Sequence, residues 1–77
     1  MLKAEDILFL DKTALFYNDL THDLYEENGY ILYVKLDTYQ QHKYYYIMGT
    51  EDGKKFDHFV GINIYGAIEK FNQLCKR

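Results

Sequence analysis

Seventy-seven residues, 48% hydrophobic and 18% aromatic, with a formal charge of −3, make one small domain spanning residues 1–77. One cysteine, Cys75, excludes a disulfide scaffold and a cysteine-rich zinc site. The sequence has no serine, which removes serine hydrolases, and its one arginine, Arg77, offers no basis for an arginine clamp on phosphate.

The first elements read as helical. Ile7, Leu10, Ala14, Tyr17, Leu20 and Leu24 recur at three- and four-residue steps, with Asp19, Asp23 and Glu26 on the opposite face. One straight helix over residues 4–27 would be about 36 Å long, which is long for this chain. A break is expected near Asp11-Lys12-Thr13, with Asp11 capping a second helix and residues 4–10 forming a short helix or a strand. Asn28-Gly29 then reads as the helix stop.

Alternation follows. In Gly29–Asp37, Leu32, Val34 and Leu36 share one face, and Ile31, Tyr33 and Lys35 the other. Thr38–Lys43 is a polar turn, and Lys43–Glu51 is the next strand. Asp52-Gly53 is a two-residue hairpin turn that fixes the register: Ile47 faces His58, Tyr46 faces Phe59, Tyr45 faces Val60 and Gly49 faces Phe56. Tyr45, Ile47, Phe56, His58, Val60 and Ile62 form the more aliphatic side and are assigned to the core. Asn63 is a candidate N-cap for a last helix with Ile64, Ala67, Ile68, Phe71, Leu74 and Cys75 in one stripe.

The fold expected is α+β: a three-stranded antiparallel meander with an N-terminal and a C-terminal helix, in α-β-β-β-α order. Double-stranded RNA-binding domains share that order of elements. The basic run such a domain carries at its last helix is missing, because Ile64-Tyr65-Gly66-Ala67 stands there.

If Leu32, Val34, Leu36, Ile47 and Val60 point to the helices, Tyr33, Tyr44, Tyr46, Met48 and Phe59 point away. An open patch of that size marks an interaction surface, and tyrosine and methionine suit protein interfaces. Alternatively the N-terminal segment covers it as a second core, or the rings stack nucleic-acid bases. Base stacking lacks support from charge: lysines are few and the net charge is negative. Asp19, Asp23 and Glu26 form a second candidate contact, an acidic stripe suited to a basic groove.

Chemistry-bearing motifs are scarce. His22 has Asp19, Asp23 and Glu26 at helical spacing, but two histidines would be needed for a convincing metal site. Asp57 and His58 are adjacent on a strand and so point to opposite faces. No phosphate-binding glycine loop is present. The expectation is therefore no enzyme, no cofactor and no metal.

The N-terminal MLKAEDILFL has acids where a secretory signal needs an apolar run, so a cytoplasmic location is expected, without membrane contact. Lys, Asn, Ile, Tyr, Phe and Met supply 34 residues, while Gly, Ala, Arg and Pro supply 9. That bias matches an AT-rich genome, such as a low-GC bacterium, its phage or another mobile element. The functional expectation is a small protein-binding module that inhibits or regulates a host protein by occupying its surface, or that self-associates. The alternative is a nucleic-acid-binding module.

Overall fold

The computed structural model describes residues 1–14 and 20–76. Among these residues, six elements follow in order: α1 Ala4–Thr13, β1 Thr21–Glu27, β2 Tyr30–Asp37, β3 His42–Glu51, β4 Lys54–Gly61 and α2 Ile64–Cys75. The strands form one antiparallel meander, β1-β2-β3-β4. The α+β class and both flanking helices agree with the sequence reading. The sheet has four strands, however, so the order is α-β-β-β-β-α, and the likeness in element order to double-stranded RNA-binding domains is lost.

The added strand is the segment read as a second helix. The break does fall at Thr13, where α1 ends. Beyond it, residues 21–27 are extended. Asn28-Gly29 is not a helix cap but the turn of a β1–β2 hairpin, with φ of 53° and 82°. Two consecutive positive φ values match the type I′ turn that twists with its strands. Asp52-Gly53 repeats it at the β3–β4 hairpin, with φ of 53° and 79°.

Two β-bulges then shape the sheet. Asp23 pairs with Tyr33, but Tyr25 pairs with Leu32, so Leu24 is an extra residue. A bulge of this kind turns two neighbouring side chains to one side. Leu24 is buried in the core and Tyr25 packs on it, edge-on to Phe71 at 5.7 Å. The second bulge is at Val60: Tyr46 pairs with Phe59 and Tyr45 with Gly61, not with Val60. Val60 still packs on the core, while Ile62, expected in the core, is 70% exposed beyond the bulge.

Both helices lie on one side of the sheet. Leu32, Val34, Tyr45 and Ile47 meet Leu2 and Ile7 from the N-terminal segment and Ile64, Ala67, Ile68, Phe71 and Leu74 from α2. The α2 stripe and the Asn63 cap are as the sequence indicates: Asn63 Oδ1 accepts from the Tyr65 N–H at 2.8 Å. Asn72 ties the N-terminal segment to α2 by exchanging two hydrogen bonds with the Leu2 backbone, at 2.9 and 2.8 Å. Gly49 leaves room for two rings, since a Cβ there would lie 2.7 Å from Tyr30 and 3.1 Å from Phe56.

Asp11 is not an N-cap. It sits inside α1, 8% exposed, and accepts a hydrogen bond from the Tyr45 hydroxyl at 2.9 Å. Lys43 places its ammonium 3.8 Å from the same carboxylate and donates to the Asp11 backbone carbonyl. α1 is thereby anchored to β3 by a polar contact, while its Ile7 joins the buried core.

Candidate functional site

The sheet face turned away from the helices carries the aromatic side chains. Pairing places Tyr33 beside Tyr46, Ile31 beside Met48, Lys35 beside Tyr44, Met48 beside Asp57 and Tyr46 beside Phe59, all on this outer face. Thus Tyr33, Tyr44, Tyr46, Met48 and Phe59 converge as the alternation requires. Among the described residues, no helix lies over them.

These side chains pack on one another. Tyr33 stacks on Tyr46 with centroids 5.4 Å apart and planes at 13°. Tyr46 meets Phe59 edge-on at 5.5 Å, and Phe59 meets Tyr44 edge-on at 5.9 Å. Each offset or edge contact adds roughly 0.5–1.5 kcal/mol beyond area burial. The ladder is therefore also a structural element of the sheet. Its exposure is graded. Tyr33, in the central strand β2, is 7% exposed and belongs with buried residues, contrary to the expectation that it stands open. Tyr44, Tyr46 and Met48 are half-buried, and Phe59 is 55% exposed.

Tyr33 reaches across β3. Its hydroxyl lies 2.8 and 2.7 Å from the two carboxylate oxygens of Asp57 on β4. Burial, then the hydrogen bond to Asp57, then its negative charge, hold the phenol well above its ordinary pKa. The phenol therefore stays protonated and braces β2 to β4. The hairpin register puts Asp57 on this face, but its bond to a ring two strands away depends on side-chain length and has no sequence signal.

The acidic residues join the same face. Because Leu24 is supernumerary, Asp23 and Glu26 both point outward, opposite Tyr33 and Ile31, and both are exposed. Without the bulge, strict alternation would turn Glu26 towards the core. They do not form a helical stripe, and Asp19 lies outside the described residues. Carboxylates of Asp23, Glu26, Asp37 and Asp57 outnumber the ammonium groups of Lys35 and Lys55 on this face.

Two shallow depressions flank the ladder. One, about 420 Å³, is lined by Ile31, Met48, Thr50, Lys55, Phe56 and Asp57 among others. The other, about 350 Å³, is lined by Lys35, Asp37, Tyr39, Tyr44 and Tyr46 with their neighbours. Tyr39 at its rim is 98% exposed.

Among the described residues, the histidines join no cluster of metal-ligating side chains, and His58 packs its ring on Phe56 at 4.8 Å. His22 is on β1 opposite Val34, on the helix side, so its helical spacing to Asp23 and Glu26 does not exist. His42 is exposed at the start of β3, and His58 is exposed on the opposite face from Asp57. Among the described residues, no group of three or more His, Cys, Asp or Glu side chains could hold a metal. Burial and the nearby Glu27 raise the pKa of the half-buried Cys75 thiol, which favours the unreactive form. Among the described residues, no helix is long and apolar enough to cross a membrane.

Comparison of the chain with protein-family models, with curated proteins and with solved structures finds no match.

Proposed function

We propose that this chain is a non-enzymatic protein-binding module that docks through the outer face of its sheet and regulates or inhibits a host protein by covering part of it. The observation that carries the reading is one continuous face holding a ladder of rings, with Phe59 at 55% exposure, and the exposed carboxylates of Asp23 and Glu26. Tyrosine and phenylalanine fixed by mutual stacking lose little conformational freedom on contact, which favours binding. The mixture of π-faces and carboxylates suits a partner surface carrying lysine or arginine among apolar side chains. The same carboxylates oppose the base-stacking alternative, because they would repel a phosphate backbone beside the rings.

The test is affinity capture from a low-GC bacterial lysate with the wild-type chain and with Phe59→Asp. The expected result is a stoichiometric protein that the wild type retains and the variant loses while circular dichroism shows both folded. A partner held equally by both, or no stoichiometric partner, refutes docking through this face.

A further inference from the structure

β4 is an outer strand of the sheet, and its Lys54, Lys55, Asp57, His58 and Phe59 are all exposed. Free strand edges are templates for further pairing, and bulges blunt them. On the opposite edge, the Leu24 bulge interrupts β1 in its middle. On β4 the bulge comes only at Val60, so residues 54–59 keep an unbroken ladder. The Asp52-Gly53 turn fixes which backbone groups are free. Glu51 and Lys54 flank a two-residue turn, so they exchange both backbone hydrogen bonds. Alternation then directs the N–H and C=O of Phe56 and His58 to β3, and those of Lys55, Asp57 and Phe59 outwards.

We propose that this edge pairs antiparallel with β4 of a second copy of the chain, about a twofold axis at Phe56. Side-chain chemistry selects the register. Centring on Lys55 or on Asp57 sets like charges directly opposite, which destabilises a strand pair. Centring on His58 carries the ladder into the Val60 bulge. Centring on Phe56 places each Lys55 opposite the other copy's Asp57, in the pairs that exchange backbone hydrogen bonds. The two Phe56 rings then meet at the axis, where side chains approach most closely. Among the described residues the ion pair is Lys43 with Asp11, and Lys55 makes none with them.

The axis is perpendicular to the sheet, so both aromatic faces look the same way and lie side by side. A ladder this short buries less than the ~1,200 Å² of a standard interface, so the dimer is a weak, reversible one. The inference concerns the strand edge and does not depend on docking through the outer face.

Sedimentation equilibrium of the full chain from micromolar to millimolar concentration tests it. The wild type is expected to approach twice the 9.3 kDa chain mass. Lys55→Asp and Asp57→Lys are each expected to remain monomeric, since each opposes like charges twice. Their equimolar mixture is expected to dimerise again, because every 55–57 pair then has opposite signs. A monomeric wild type, a Lys55→Asp chain that dimerises normally, or a mixture of folded variants that stays monomeric overturns the proposal. If Asp57→Lys fails to fold for want of the Tyr33 acceptor, amide hydrogen exchange of the wild type decides. Lys55 and Asp57 amides must exchange more slowly in concentrated than in dilute samples, and equal rates refute the pairing.

Discussion

Asp11→Ala isolates the polar anchor between α1 and β3. Three effects compete. The Tyr45 hydroxyl, on a residue 4% exposed, loses its acceptor. An orphaned buried donor costs about 1–3 kcal/mol. Lys43 loses its ion pair, but its side chain is 33% exposed and can turn to water, so that loss is about 0–1 kcal/mol. Against these, alanine improves the helix by about 0.5 kcal/mol and ends the desolvation of a carboxylate. The net expected is a loss of about 2 kcal/mol. A domain of this length has about 4–12 kcal/mol in all at the usual per-residue stability, so the change is large. Urea melts followed by circular dichroism measure it, at constant m-value. Tyr45→Phe alone removes the donor without stranding it, and is expected to cost about 1 kcal/mol. After Tyr45→Phe, Asp11→Ala should cost less than it does in the wild type, by about 1 kcal/mol or more. An Asp11→Ala loss below about 0.5 kcal/mol, or strictly additive effects, would refute a bonded Asp11–Tyr45 pair.

Three further outcomes follow from burial and geometry. Tyr33 and Tyr45 both have phenol pKa values raised chiefly by burial and then by a carboxylate acceptor. Their stabilisation is complete below the unfolded phenol pKa of about 10 and is lost as pH rises towards the folded values. Alkaline titration by ultraviolet absorbance should show these two phenols ionising after the exposed ones, and ionisation of all together without unfolding would contradict the burial. Phe71→Ala, at 0% exposure, should cost about 3–5 kcal/mol, while Phe59→Ala should cost about 1 kcal/mol and act mainly on partner binding. Equal thermal destabilisation by both would show that the outer face is as closed as the core. Gly53→Val forces a β-branched residue to φ 79° at the Asp52-Gly53 turn and should cost about 1–3 kcal/mol in a thermal melt. No measurable loss would mean that the turn is not type I′.

Legibility in the sequence followed regularity of the backbone. α2 keeps a 3.6-residue period from Ile64 to Leu74, and every residue of that stripe except Cys75 is buried. Asp52-Gly53 fixes the β3–β4 register because a two-residue turn permits little else, and the ladder follows it as far as Phe59. β1 was opaque for a physical reason. Its bulge breaks the two-residue alternation that marks a strand, and Leu20 with Leu24 imitates a helical step. Asn28-Gly29 is ambiguous in the same way, since positive φ serves both a helix cap and a hairpin turn.

The misread strand matters most for the site. On a helix, Asp23 and Glu26 would share a stripe set apart from the tyrosines. On a regular strand, three residues apart, one of them would face the core. A strand with one supernumerary residue puts both beside the rings. Leu24 contributes a buried side chain while the residue it adds to β1 brings the acidic and aromatic groups onto one surface. Core packing and surface composition are therefore coupled at this position. Restoring regular pairing there would turn Glu26 inward and separate the two chemistries on which the proposed docking surface rests.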